Sequence, residues 1–165
     1  MKIKDIRSNR ITPFECKDEK LISLFSFFLH NAPTISSATA MHIDAARLKN
    51  NWNNYIETAN VQNYKFLSPN CKIEKHLTEN QLHDEAEVNR RSKRFVCKYK
   101  DKNETDYECI LRHLRNSIAH SHVYLVHAGN RKYVMFEDFN TSGNQSSLIL
   151  LSQSDLKKLK CEIVR

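Results

Sequence analysis

The sequence predicts a mainly α-helical chain that ends in a β-hairpin or a small three-stranded sheet and a short final helix. Three observations lead there. The 165 residues include only two glycines and three prolines, too few for a turn-rich all-β chain. Apolar residues recur at helical spacing through several long segments. After His122 that spacing gives way to the alternation typical of strands.

Taken in order, residues 16–32 start with acidic residues, carry a dense apolar run and are closed by Pro33, which predicts a first helix. A second is expected from Ser37 to Ala59, where Met41, Ala45, Leu48, Trp52 and Tyr55 or Ile56 share one face. Residues 60–77 lose this period and contain Ser68-Pro69-Asn70, so they read as a connecting loop. Helix is expected again from Thr78, with Gln81 three positions on as in a capping box, running into the basic segment 88–102. A break at residues 100–103 leads to a helix that ends near His122. Two strand-like runs then flank Ala128-Gly129-Asn130, where Gly129 or Asn130 can take the positive φ of a tight turn. Leu148 to Leu151 offers a third strand, and Ser152-Gln153-Ser154-Asp155 caps the last helix. One domain over 1–165 is expected, with its helical part at about 16–122 and the hairpin, strand and short helix at about 123–165.

Composition narrows the function. No run of eighteen apolar residues occurs, and MKIKDIRSNR lacks the apolar centre of a secretion signal, so a soluble, cytoplasmic protein without a membrane partner is expected. Five scattered cysteines with no CxxC pair read as reduced thiols. Cys109 and His113 stand four apart, but no second close pair completes a tetrahedral set, so neither a metal nor another cofactor is expected. The net charge of +7 points to an anionic partner. Much of it lies in residues 88–102, where Arg90, Arg91, Lys93, Arg94 and Lys98 are interleaved with Phe95 and Tyr99. Such a run suits nucleic acid, since cations meet phosphates and rings stack on bases. It equally suits a solvated helix face, and charge alone does not separate the two.

The stretch LRHLRNSIAHSHVYLV, residues 111–126, combines a core face with groups that bind phosphate or move protons. At about 100° per residue, Tyr107, Ile110, Leu111, Leu114 and Ile118 fall in one arc. Arg115 lies at its shoulder, and Arg112, His113, Asn116, Ala119 and His120 lie behind it, turned away from the core. Asn116 and His120, four apart, are placed for a hydrogen bond that would fix the imidazole.

The hexapeptide R-N-S-I-A-H, residues 115–120, resembles the signature of the HEPN superfamily: an arginine, a polar residue next to it, and a histidine a few positions on. The helix-hairpin-strand-helix order over residues 103–165 resembles that of HEPN proteins found on plasmids and near defence genes. The resemblance implies an antiparallel helical bundle and a metal-independent endoribonuclease, a toxin or antiphage effector. Arg115, Asn116 and His120 would then be the catalytic residues. It also implies a homodimer whose two motifs share a cleft, and a cognate antitoxin protein as a further partner. Cleavage without a metal needs a base for the ribose 2′-hydroxyl, a cation for the phosphate and an acid for the leaving oxygen, and it leaves a 2′,3′-cyclic phosphate. Histidine and arginine supply those properties. Arg112 would contact RNA or complement the helix dipole. His113 and His122 have no place in the motif and read as surface or capping residues. The competing reading is a HEPN-like module that binds nucleic acid or protein without cleaving.

Overall fold

The computed structural model describes residues 1–34 and 39–165. Within them, seven helical segments and six strands follow one another along the chain. They are α1 (Ile3–Arg7), β1 (Arg10–Ile11), α2 (Glu19–Ser26) running into a π-turn (Phe27–Asn31), α3 (Ala45–Ala59), β2 (Asn63–Leu67), α4 (Ile73–Glu79), β3 (Arg94–Lys98), α5 (Asp106–Ala119), β4 (Val123–Ala128), β5 (Arg131–Phe139), β6 (Gln145–Ser152) and α6 (Gln153–Ile163). All six strands form one sheet in the order β1-β4-β5-β6-β3-β2, antiparallel except for the β2–β3 pair.

The mainly α expectation is therefore corrected. With 40% helix and 23% strand the chain is α/β, built on a six-stranded mixed sheet. No helical bundle fills residues 16–122, because β2 and β3 lie inside that span. The basic segment is a strand, not a helix: β3 sits between β6 and β2, with Phe95 and Cys97 turned to one core and Val96 to the other. A strand buried on both faces loses the polar alternation that marks a half-exposed one. The expected loop at 60–77 holds β2 and the start of α4. No helix starts at Thr78; α4 ends one residue later.

Elsewhere the local signals hold. Asp18 caps α2 by accepting from the N–H groups of Lys20 and Leu21. The helix expected from Ser37 is present as α3 from Ala45, capped by Asp44; Ser37 itself lies outside the described residues. Gly129 takes the turn's positive φ of 62°, closing a two-residue loop between Ala128 and Arg131. Ser152 caps α6 through the Asp155 N–H.

Period-two alternation sorts the sheet into two faces. Phe95, Cys97, Val123, Val134, Phe136, Ile149 and Leu151 pack under α2, the π-turn, α3, α5 and α6. Val96, Tyr124, Tyr133, Met135, Leu148 and Leu150 pack against α1 and α4. Among the described residues no helix is long and apolar enough to cross a membrane.

Candidate functional site

The site is built on α5 and the turn after it. Thr105 starts the helix with a capping box completed by Glu108, worth about 1 kcal/mol. The predicted core arc is buried as a set: Tyr107, Ile110, Leu111, Leu114 and Ile118. Each contributes roughly 1.5–3 kcal/mol when fully buried, which holds the helix flat on β5. At the far end the N–H of His122 donates to the Ser117 carbonyl at 2.8 Å and that of Ser121 to Ile118 at 3.2 Å, a Schellman pair. Ser121 occupies the left-handed position at φ 56°. The chain thus turns straight from helix into β4, which brings the His120 and His122 rings to 6.4 Å apart.

The helix buries more than the wheel implied. His113, expected to face outward, is 1% exposed. Its Nδ1 stands 2.9 Å from Asp138 Oδ2 and its Nε2 2.8 Å from the Lys98 carbonyl. The shortest contact of each ring nitrogen is to an acceptor, with the Arg112 guanidinium farther from Nε2 at 3.3 Å, an arrangement that favours the imidazolium with both nitrogens donating. Burial works against that charge, but the hydrogen bonds to Asp138 and Cys109 outweigh it and raise the pKa to about 8. Burial likewise opposes ionisation of Asp138, and the His113 partner overrides it and holds the carboxylate below its usual range. The result is a buried ion pair between α5 and β5.

Asp138 also decides the geometry of the motif. Its Oδ2 accepts from Asn116 Nδ2 at 3.2 Å and its Oδ1 from the Phe139 N–H at 2.9 Å. The asparagine is therefore oriented by a carboxylate from the sheet, not paired with His120 as its spacing suggested. Its neighbour Glu137 points the other way, as strand alternation requires, where Arg7 and Gln145 bind it.

Among the motif residues, His120 is the exposed C-cap of α5. Arg115 is half-buried, and its Nε is buried without a hydrogen-bond partner. His122 is half-buried, its ring edge-on to Phe139 at 4.8 Å and its Nδ1 also unpartnered. Burial, then the charges of Arg10 and His120, lower its pKa. Arg10 braces the turn by donating to the Ser121 carbonyl at 2.7 Å.

The residues expected to bind RNA are scattered. Arg112 pairs with Glu104 at 2.7 Å and donates to the Lys98 carbonyl. Arg94 is buried against the Glu87 carbonyl, and Lys93 is paired with Asp155 at 3.2 Å. Lys98 is half-buried, whereas Arg90 and Arg91 are exposed. Asp138 and the role of His113 were beyond sequence reasoning, since only the register of β5 beneath α5 unites two positions twenty-five residues apart. Among the described residues, no group of three or more His, Cys, Asp or Glu converges as a metal site.

A family model described as HEPN pEK499 p136 matches residues 9–164. The chain belongs to this HEPN family. The match spans both the α5 motif and the sheet that braces it, so the HEPN domain here includes β1 through α6 and not only the helix with its hairpin. No curated protein and no solved structure matches the HEPN chain.

Proposed function

We propose that this HEPN protein is a metal-independent endoribonuclease, a toxin or antiphage effector held in check by an antitoxin protein and working as a homodimer. The observation that carries the reading is the cluster at the C-terminal end of α5. Exposed His120 stands 6.4 Å from a second imidazole, His122, beside an asparagine oriented by Asp138 and an arginine with a free buried nitrogen.

In the reaction, one imidazole takes the proton of a ribose 2′-hydroxyl. The freed oxygen bonds to phosphorus, and the P–O5′ bond breaks as a second imidazole protonates the leaving oxygen. The products are a 2′,3′-cyclic phosphate and a 5′-hydroxyl end. Arg115, always cationic, offsets the charge gathering on the phosphate oxygens, and Asn116 donates a hydrogen bond beside it. The single-histidine motif alone underfills the acid and base roles. Either a second copy of the motif across a dimer cleft or His122 of the same chain completes them.

The test is RNA cleavage by purified protein in EDTA. Wild type should cleave and leave cyclic phosphate ends, and His120→Ala and Arg115→Ala should each lose roughly 10²–10⁴-fold. Equal loss in His122→Ala would assign the second imidazole to the same chain; near-normal activity in that variant would assign it to the second copy. RNA left intact by wild type would instead support the non-cleaving HEPN module. Cleavage by all variants alike would mark a contaminating nuclease and remove the proposal's support.

A further inference from the structure

We propose that a basic groove at the opposite end of the sheet from His120 and His122 binds the phosphate backbone of single-stranded RNA. The inference rests on the reading of the α5 cluster as an RNA-cleaving site and supplies that site with a place to hold its strand.

The topology sets the two places apart. β4 leaves the histidines at Val123 and reaches the hairpin turn at Ala128, about 17 Å further on at 3.4 Å per residue. At that end β5 begins, β6 finishes, and both α2 and α6 start. Between them lies an open groove of about 1310 Å³. Its cations come from three elements: Lys17 and Lys20 at the start of α2, Arg131 and Lys132 on β5, and Lys157 and Lys160 on α6.

The charges are unevenly committed. Asp18 and Glu19 are the carboxylates of the lining; Asp18 is already used as the α2 cap and as the partner of Lys132. Among the described residues no carboxylate stands within ion-pair distance of Lys17, Lys20 or Lys157, and all three are exposed. Arg131 donates to the Arg90 carbonyl at 2.9 Å, so exposed Arg90 and Arg91 lie near the start of β5 but outside the lining of the groove.

The shape and lining choose the ligand. Leu24 is the one aliphatic hydrophobic residue in the lining and is itself buried, so the groove offers none of the exposed large hydrophobic side chains that an amphipathic helix docks against. A concave wall does not lie flat on a bilayer. Rows of uncommitted ammonium groups in a wide trough suit a flexible chain with one negative charge per unit, which is what a single RNA strand presents. A strand seated there and continued along β4 would arrive at His120.

The experiment measures binding of a fluorescent single-stranded oligouridylate in EDTA, with His120→Ala as the background so that the probe stays whole. Adding Lys20→Glu and Lys157→Glu together should weaken binding at least about tenfold and flatten the salt dependence by about 0.7 in log–log slope for each phosphate of the single strand that is no longer neutralised. Lys75→Glu on α4, which packs on the other face of the sheet, makes the same kind of charge change and should leave affinity within about twofold of the background. Unchanged binding by a folded double variant, checked by circular dichroism, overturns the groove; so does equal weakening in Lys75→Glu, which would mean net charge alone. Preference for polyglutamate over the oligouridylate overturns it in favour of an acidic protein partner. Binding in the groove by a wild type that never cleaves would keep the groove and remove only the nuclease reading.

Discussion

The two ends of the sheet treat charge in opposite ways. At the histidine end the ion pair beneath the motif is buried and matched: His113 is held by Asp138 and the Lys98 carbonyl, and Asp138 also holds Asn116. At the turn end, Lys17, Lys20 and Lys157 stand exposed along an open trough. Buried charges are costly unless satisfied, so the first arrangement fixes geometry. Solvated charges cost little and stay free to meet a polyanion, so the second arrangement suits capture. The unpaired lysines of the trough and the buried ion pair under the motif therefore occupy separate places, although the sequence interleaves lysines, arginines and histidines throughout.

Removing one partner of the buried pair should disturb this division most severely. Asp138→Ala leaves the His113 imidazolium without its counter-charge and should cost about 3–5 kcal/mol, read as a lower urea midpoint at constant slope. A cost under about 1 kcal/mol would mean that the pair does not anchor α5 to β5. The variant also frees the Asn116 amide, so any cleavage activity should fall by more than the loss of folded protein explains.

Titration acts on the same pair more gently. His113 has its folded pKa raised to about 8 from the ordinary 6.5. Its contribution is therefore fully present below about pH 6.5 and is lost as pH rises through about 8, an amount on the order of 2 kcal/mol. Asp138, with its pKa lowered, contributes above the ordinary carboxylate value and loses that contribution as pH falls. Urea midpoints should decline between pH 6.5 and 8.5 in wild type and stay flatter over that window in His113→Gln.

The smallest effect belongs to the turn end. Lys157→Ala and Lys20→Ala, which remove exposed groups without ion-pair partners, should change stability by no more than about 0.5 kcal/mol while weakening RNA binding. A large stability loss there would show that the trough, like the histidine end, is structural.

Much of the site's local frame was legible in the sequence. The five-residue apolar arc of α5, the Gly129 turn and the Ser152 cap all depend on neighbours within a few positions, and all are where the sequence places them. The β-strands at 63–67 and 94–98 were not legible. They are five residues long, too short for a period to declare itself, and β3 is buried on both faces, so its Arg94 and Lys98 read as a charged helix surface. The wheel placed His113 opposite the core because it knows only angles about the axis. It does not know that a sheet with an inward-pointing aspartate lies beneath that side.

Helix periodicity and capping are local, so the amino-acid order was enough to mark where α5 begins and ends and which residues it commits to the core. It was also enough to string Arg115, Asn116 and His120 along the last turn. Tertiary packing alone brings Asp138 of β5 under His113 and Asn116 and sets Lys17, Lys20 and Lys157, from two separate elements, around one groove at the far end of the sheet. Those outcomes depend on strand order and register. They are settled by burying two faces of one sheet at once, which no single segment encodes.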